Sequence, residues 1–191
     1  MSSAPTRYIT PEEYLEQERK AETRSEYFQG KVFAMAGASR RHARIVSNLV
    51  RELSGKLIDR DCNVYSNDLR LAVSQAGLYA YPDVMVVCGE EQVADRHDDM
   101  LLNPTLLIEV LSKSTKNYDR GQKFESYRKL TSLREYLTVA QDKVHVEQWV
   151  RQPDDRWMLK EYFESDAKIA LVSIGVELQL SDIYRKVDLG G

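Results

Sequence analysis

From Arg40 onward apolar residues recur every three or four positions, at Ile45, Leu49, Leu53 and Leu57, with Val46, Val50 and Ile58 beside them. That spacing predicts a helix with one buried stripe, starting at Ser39 or Arg40. A shorter helix is predicted from Thr10, Pro11 and Glu13, a T-x-x-E capping box with proline at the first helical position, and it should run to about Lys20. Between them "SEYFQGKVFAMAG" reads as two short strands around a turn at Gln29 and Gly30. "NVYSNDLRLAVS" alternates, with Tyr65, Asn67, Leu69, Leu71 and Val73 on one face and Ser66, Asp68, Arg70 and Ala72 on the other. "YAYPDVMVVCG" follows a turn near Gly77 and makes a hairpin with it.

An acidic, polar excursion, "EEQVADRHDDML", leads to the apolar run "LLIEVLSKST", which begins just after Pro104 and ends in a Ser/Lys/Thr cluster. Its length and β-branched content predict a strand buried on both faces. "NYDRGQKFESYRKL" has the composition of a helix in spite of Gly121, and "EYLTVA" follows as a strand. The remaining segments, "KVHVEQWV", "RWMLKEYF" and "KIALVSIGVELQL", alternate again, with a turn at "QPDDR" and another near Gly175. Strands cluster before and after the helices instead of alternating regularly with them. The expectation is an α+β, or mixed α/β, chain forming one domain over residues 1–191.

Composition narrows this picture. With 191 residues and 42% hydrophobic content the chain can bury one sizeable core. Cys62 and Cys88 are too few for a disulfide framework and lack metal-ligand spacing, so the favoured reading is two small buried hydrophobes in a reducing compartment. The first residues lack an apolar leader segment and no apolar stretch reaches the ~18 residues of a membrane span, so a cytoplasmic location and no membrane partner are expected. The formal charge of −3 does not announce a nucleic-acid binder. Local basic groups still allow one: Arg40, Arg41 and Arg44 in "ASRRHAR", and Lys113, Lys116, Arg120 and Lys123 in "KSTKNYDRGQK". Each group also fits a solvated surface.

The chemistry starts from Glu109, a carboxylate among Leu106, Leu107, Ile108, Val110 and Leu111. Burying an unpaired charge is costly, so Glu109 needs a partner. Asp83 opens the apolar strand Val84, Met85, Val86, Val87 after Pro82. Two acids facing each other from neighbouring strands repel unless something positive lies near them. A divalent ion such as Mg²⁺ or Mn²⁺, held by Asp83, Glu109 and the carbonyl of Val110, satisfies both. The alternative is that Asp83 caps a turn and Glu109 pairs with a nearby basic residue. Asp119, Lys123 and Tyr127 share a helix face. Lys123 there either orients a water at the acids or pairs within its helix with Asp119. His42 is at the edge of the buried helix stripe, as a structural group or a catalytic one, and Glu26 either approaches the same cleft or lies on the surface.

In their order and spacing, "SEYFQGKVFAMAG", His42 opening a helix, "SNDLRL", "YPDVMVV", "LLIEVLSKST", "YDRGQKFESYRKL" and "EYLTVA" resemble the Uma-two family of restriction-type endonucleases, from about Thr10 to the final "LSDIY". That family looks like a branch of the PD-(D/E)XK nuclease superfamily. The resemblance implies a restriction-endonuclease-like core, a mixed four-stranded sheet flanked by helices, here with an extra N-terminal hairpin and C-terminal strands. It also implies a Mg²⁺-dependent phosphodiesterase acting on DNA, with Asp83 and Glu109 as the two motif acids. Where the superfamily pattern has lysine two residues after the second acid, this chain has Leu111. The resemblance moves that role to Lys123, with Lys113 as a fallback.

The expected protein is therefore a metal-dependent DNA endonuclease, acting as a homodimer without an organic cofactor. Asp83, Glu109 and Lys123 are its catalytic residues, and Asp68, Glu26, His42 and Asp119 are further candidates for completing the site. The alternative is a nuclease fold without catalysis that binds nucleic acid or protein.

Overall fold

The computed structural model describes residues 7–112 and 118–189. Helix α1 spans Pro11–Glu18, and its capping box forms as expected: the Glu13 amide donates to Thr10 Oγ1 at 3.2 Å and the Thr10 amide to Glu13 Oε2 at 3.1 Å. Strands β1 (Ser25–Phe28) and β2 (Lys31–Ala34) form a hairpin. Its turn puts Gln29 and Gly30 at φ 45° and 88°, the left-handed region that a two-residue hairpin turn requires. Helix α2 spans Arg40–Leu57, and Ser39 caps it by accepting from the His42 amide. Ile45, Val46, Leu49, Leu53 and Leu57 form its buried face.

The segment expected to be one strand from Tyr65 to Val73 is two. β3 (Cys62–Ser66) and β4 (Arg70–Val73) belong to different sheets, separated by a tight turn in which the Asp68 and Leu69 amides donate to the Ser66 carbonyl. β4 then pairs with β5 (Leu78–Ala80), as the expected hairpin required, but β6 (Val84–Cys88) leaves that hairpin after Pro82 and pairs with β3. Proline supplies no amide to a ladder and fixes its own φ, which suits a crossing between sheets.

β7 (Met100–Leu101), β8 (Leu106–Leu111), β9 (Glu135–Ala140), β10 (Val146–Arg151) and β11 (Trp157–Tyr162) complete two sheets. The larger has the order β11-β10-β9-β8-β6-β3 and the other β2-β1-β5-β4-β7. In the larger sheet β8 and β9 are parallel and the other neighbours antiparallel. It is thus mixed, as expected, but has six strands, because the β10–β11 hairpin extends the four-stranded part. Between β8 and β9 lies a π-helical turn, Asp119–Lys123, running into α3 (Phe124–Tyr127). β12 (Lys168–Leu171), β13 (Val176–Gln179) and α4 (Leu180–Ile183) close the fold.

The central strands are buried on both faces, which is why they read as unbroken apolar runs. Val84, Val86, Leu106, Ile108, Val110, Leu137 and Val139 pack with α2, α4 and β12–β13 in one core. Met85, Val87, Leu107 and Tyr136 pack with Phe124, Tyr127 and the smaller sheet in the other. Strand alternation therefore puts Glu109 on the face of Leu107, toward the π-helical turn and α3.

Cys62 and Cys88 are disulfide-bonded, contrary to the free, buried thiols expected. Opposite each other at the paired ends of β3 and β6, their Cα atoms are 4.0 Å apart, the close approach of a directly facing antiparallel pair. Sequence spacing carries no trace of that register. Among the described residues, no helix is long and apolar enough to cross a membrane.

Candidate active site

Glu109 has its partner in Lys123. The lysine Nζ lies 3.1 Å from Glu109 Oε1, 2.9 Å from Glu26 Oε1 and 3.6 Å from Asp119 Oδ1. All four side chains are at least nine-tenths buried. Glu109 also accepts from Tyr127 Oη at 2.8 Å, and Lys123 Nζ lies 5.8 Å from the centre of the Tyr118 ring. Glu26 enters from β1 and takes the Tyr81 amide on the same oxygen at 3.2 Å. Three elements distant in sequence, β1, β8 and the π-helical turn, thus meet at one ammonium. Of the two readings of Lys123, both geometries occur at once: it faces Asp119 one turn away and reaches across to Glu109.

Asp83 lies just before β6, beside Glu109 by continuation of the β6–β8 register. Its Oδ2 accepts from the Val110 amide at 2.7 Å and lies 3.0 Å from His42 Nε2. Burial pulls the His42 imidazole down, but the bond to Asp83, the Asp83 and Asp119 charges and the Val110 carbonyl outweigh it and hold the imidazole above its ordinary value. Its Nδ1 is buried without a hydrogen-bond partner among the described residues.

Burial pushes the Glu109 carboxyl up to about 8; Lys123 opposes this, while Asp119, Asp83 and Glu26 add to it. Lys123 itself is held well above its ordinary value: burial opposes its charge, but Glu109, Tyr127, Glu26 and Asp119 outweigh that. The physical reason is a surplus of negative charge. One ammonium and one imidazole are set among four carboxyl groups, so keeping a proton on Glu109 relieves the repulsion.

Asp83, Glu109, Lys123, Glu26, His42 and Asp119 therefore come together, with the Val110 backbone between them. Asp68 does not: it is exposed on the turn after β3 and paired with Arg24. Its alternating position suggested a strand face, and the turn removed it from that face. Lys113 lies outside the described residues. Sequence reading missed Tyr127 as a donor to Glu109, although its i+4 position after Lys123 was a signal. It also missed a polar row in which Thr138 and Glu147 follow Glu109 across β9 and β10 in register. Glu147 accepts from Thr138 Oγ1 at 2.7 Å and from Arg120 Nε at 2.8 Å. At the end of that row His145 Nε2 lies 2.9 Å from Glu161 Oε1, and the ligand atoms of His145, Glu147 and Glu161 fall within 4.8 Å of one another.

An arrangement of two central strands, β6 and β8, bearing acids at their paired ends, with a basic residue from the following helical turn, places the protein in the restriction-endonuclease-like class of α+β folds. A solved chain from Anabaena variabilis ATCC 29413, described as "a putative nuclease belonging to DUF820", shares this fold with a TM-score of 0.75, covering 92% of this chain and 97% of that one at 19% identity. Two proteins of Synechocystis sp. (strain ATCC 27184 / PCC 6803 / Kazusa), both described as uncharacterized, are similar along nearly their whole length. One, sll1609, is 38% identical over 169 residues, which is 88% of this chain and 96% of the relative; the other, slr1290, is 35% identical over 184 residues, 96% and 95%. Residues 11–181 match the Uma2 family, described as "Putative restriction endonuclease". The chain belongs to that family.

Proposed function

We propose that this protein is a metal-dependent DNA endonuclease of one domain, in which Asp83 and Glu109, with the Val110 carbonyl, hold Mg²⁺ or Mn²⁺. The observation that carries this reading is the buried surplus of carboxylates around Lys123. An all-oxygen donor set suits a hard dication, and a dication cancels the charge that one lysine leaves uncompensated. When bound, such an ion lowers the pKa of water and stabilises charge on phosphoryl oxygens.

The side chains then have separate tasks. Lys123 turns its ammonium toward the reacting water and phosphoryl oxygen, replacing the lysine that Leu111 does not supply. Glu26 and Asp119 hold that ammonium in position. His42 holds Asp83, and Tyr127 holds Glu109. Water adds to phosphorus in line with the leaving 3′ oxygen, the P–O3′ bond breaks, and the products are a 5′-phosphate and a 3′-hydroxyl. Cutting both strands of a duplex takes two such sites, so the acting form is a homodimer.

Plasmid cleavage with Mg²⁺, Mn²⁺ or EDTA tests the reading. Wild-type protein should nick or linearise plasmid only with metal, and Asp83→Asn, Glu109→Gln and Lys123→Ala should each slow cleavage by about 10²–10³-fold. A wild-type preparation that leaves DNA intact with every metal would make the chain a nuclease fold that binds without cutting.

A further inference from the structure

Next to the acid cluster lies an open cleft of about 600 Å³, within the size range of ligand sites. Its walls come from the N-terminal end of α2 (Ser39, Arg41), the end of β8 (Leu111), the π-helical turn (Arg120) and the β9–β10 turn (Asp142, Lys143). Leu111 is two residues beyond Glu109 on β8, about 7 Å along a strand. Ser39 caps the helix whose His42 bonds Asp83, and Arg120 is next to Asp119. The cleft and the acid cluster therefore share three elements: α2, β8 and the π-helical turn.

Its charge runs against that of the whole chain. Three cationic side chains line it against one acid, Asp142, although the formal net charge is −3. Among the described residues neither Arg41 nor Lys143 takes part in an ion pair. The first turn of α2 has no acidic residue to offset the helix dipole, so this end of the helix adds positive potential at the same wall. Arg120 is held from behind: Glu147 Oε2 accepts from its Nε, and Thr138 Oγ1 donates to the same carboxylate oxygen. Like charges gathered in a concavity repel each other, and for Arg41 and Lys143 no ion pair among the described residues offsets this. An anion in the cleft removes the repulsion.

We infer that this cleft seats the phosphodiester backbone of duplex DNA, with Arg41, Arg120 and Lys143 as its phosphate contacts and Glu147 as the residue that positions Arg120. The identity of the polyanion rests on the nuclease reading above; the site itself rests on the cleft and on Arg41 and Lys143, which have no ion pair among the described residues. Side chains from α2, the π-helical turn and the β9–β10 turn would grip the backbone beside the scissile position, which sets where along the strand the acids act. Such contacts fix register and carry no base preference.

Equilibrium binding of a labelled DNA duplex, with a single-stranded oligonucleotide in a parallel arm, tests this in EDTA, where binding is separated from cleavage. Arg41→Gln, Arg120→Gln and Lys143→Gln leave the cores untouched, and each should weaken duplex binding several-fold. Each should also reduce the slope of log affinity against log salt by about 0.9, the loss of one phosphate contact. Glu147→Gln should weaken binding less than Arg120→Gln and add nothing in the double variant. Lys56→Gln, at the far end of α2, should bind as wild type. Wild-type affinity and slope in the three variants would overturn the inference while leaving a metal-dependent cleavage activity intact. So would wild-type protein that binds no duplex at low salt, or that binds the single strand in preference. Loss of binding in the three variants from a protein that never cuts plasmid would keep the cleft and discard the nuclease reading.

Discussion

Two glutamates on neighbouring parallel strands show how much a residue's surroundings decide. Glu109 and Glu135 are both buried, at 3% and 0% exposure; the first interrupts an apolar run and the second opens one. Glu109 meets a charge, Lys123, whereas Glu135 meets neutral donors: Gln148 Nε2, and the amide and hydroxyl of Ser173 at 3.0 and 2.6 Å. The first therefore belongs to a charged cluster and the second to packing. Removing the charge partner should show the difference. Lys123→Met leaves buried carboxylates without their cation and should cost about 3–5 kcal/mol in urea unfolding of the metal-free protein. Glu109→Gln should be neutral or stabilising in the same measurement, because it removes one of the repelling acids. At Glu135 burial raises the carboxyl above its ordinary value of 4.5, with the Ser173 and Gln148 bonds opposing. The folded chain keeps a proton there that the unfolded chain has lost. Its contribution is complete below the ordinary value and fades as pH rises through the raised one. Melting temperature should fall across that window, and Glu135→Gln should flatten the fall.

At the level of elements, local signals were reliable wherever a cap or a turn residue imposed them. Thr10 with Glu13, Ser39, and Gln29 with Gly30 each mark a boundary the structure keeps. Alternation was less informative: residues 65–73 largely alternate, yet their two halves pair in different sheets, because alternation reports burial of a face and not which strand covers it. The same gap hid the disulfide, since Cys62 and Cys88 are 26 residues apart and only the β3–β6 register sets them face to face. Closing a loop of that length contributes about 3.5 kcal/mol in the chain-entropy account. Cys62→Ala/Cys88→Ala protein should lose that much stability relative to oxidised wild type. Against wild type kept in reductant it should match, which also reports which form the purified protein adopts.

For the whole molecule, the two cores fix the six-stranded sheet from both sides, and the acids lie where β1 and the π-helical turn cross the paired ends of β6 and β8. A ligand that binds only the folded state raises stability by mass action, about 2.7 kcal/mol at a hundred times its dissociation constant. Mn²⁺ should therefore raise the melting temperature of wild-type protein, and Glu109→Gln or Asp83→Asn should abolish that rise even if either variant is the more stable without metal. No shift in wild type would remove the dication from the reading.

By itself the sequence determined helices α1 and α2, the buried strands and the anomaly of Glu109, because each of these is set by neighbours within a few residues: a cap, a period, or an acid among aliphatics. Lys123 and Asp83 were legible as candidates for the same reason, one by its helix spacing and the other by its place at a strand start. No such signal marked Asp119–Lys123 as a π-helical turn or Leu180–Ile183 as a short helix. The tertiary structure alone decided that Glu26 joins Lys123, that Asp68 stays outside, that Glu147 backs Arg120, and that Arg41 and Lys143 share a cleft with it. Those pairings span sheets and turns whose register follows from the packing of both cores at once, and no local pattern along the chain encodes it.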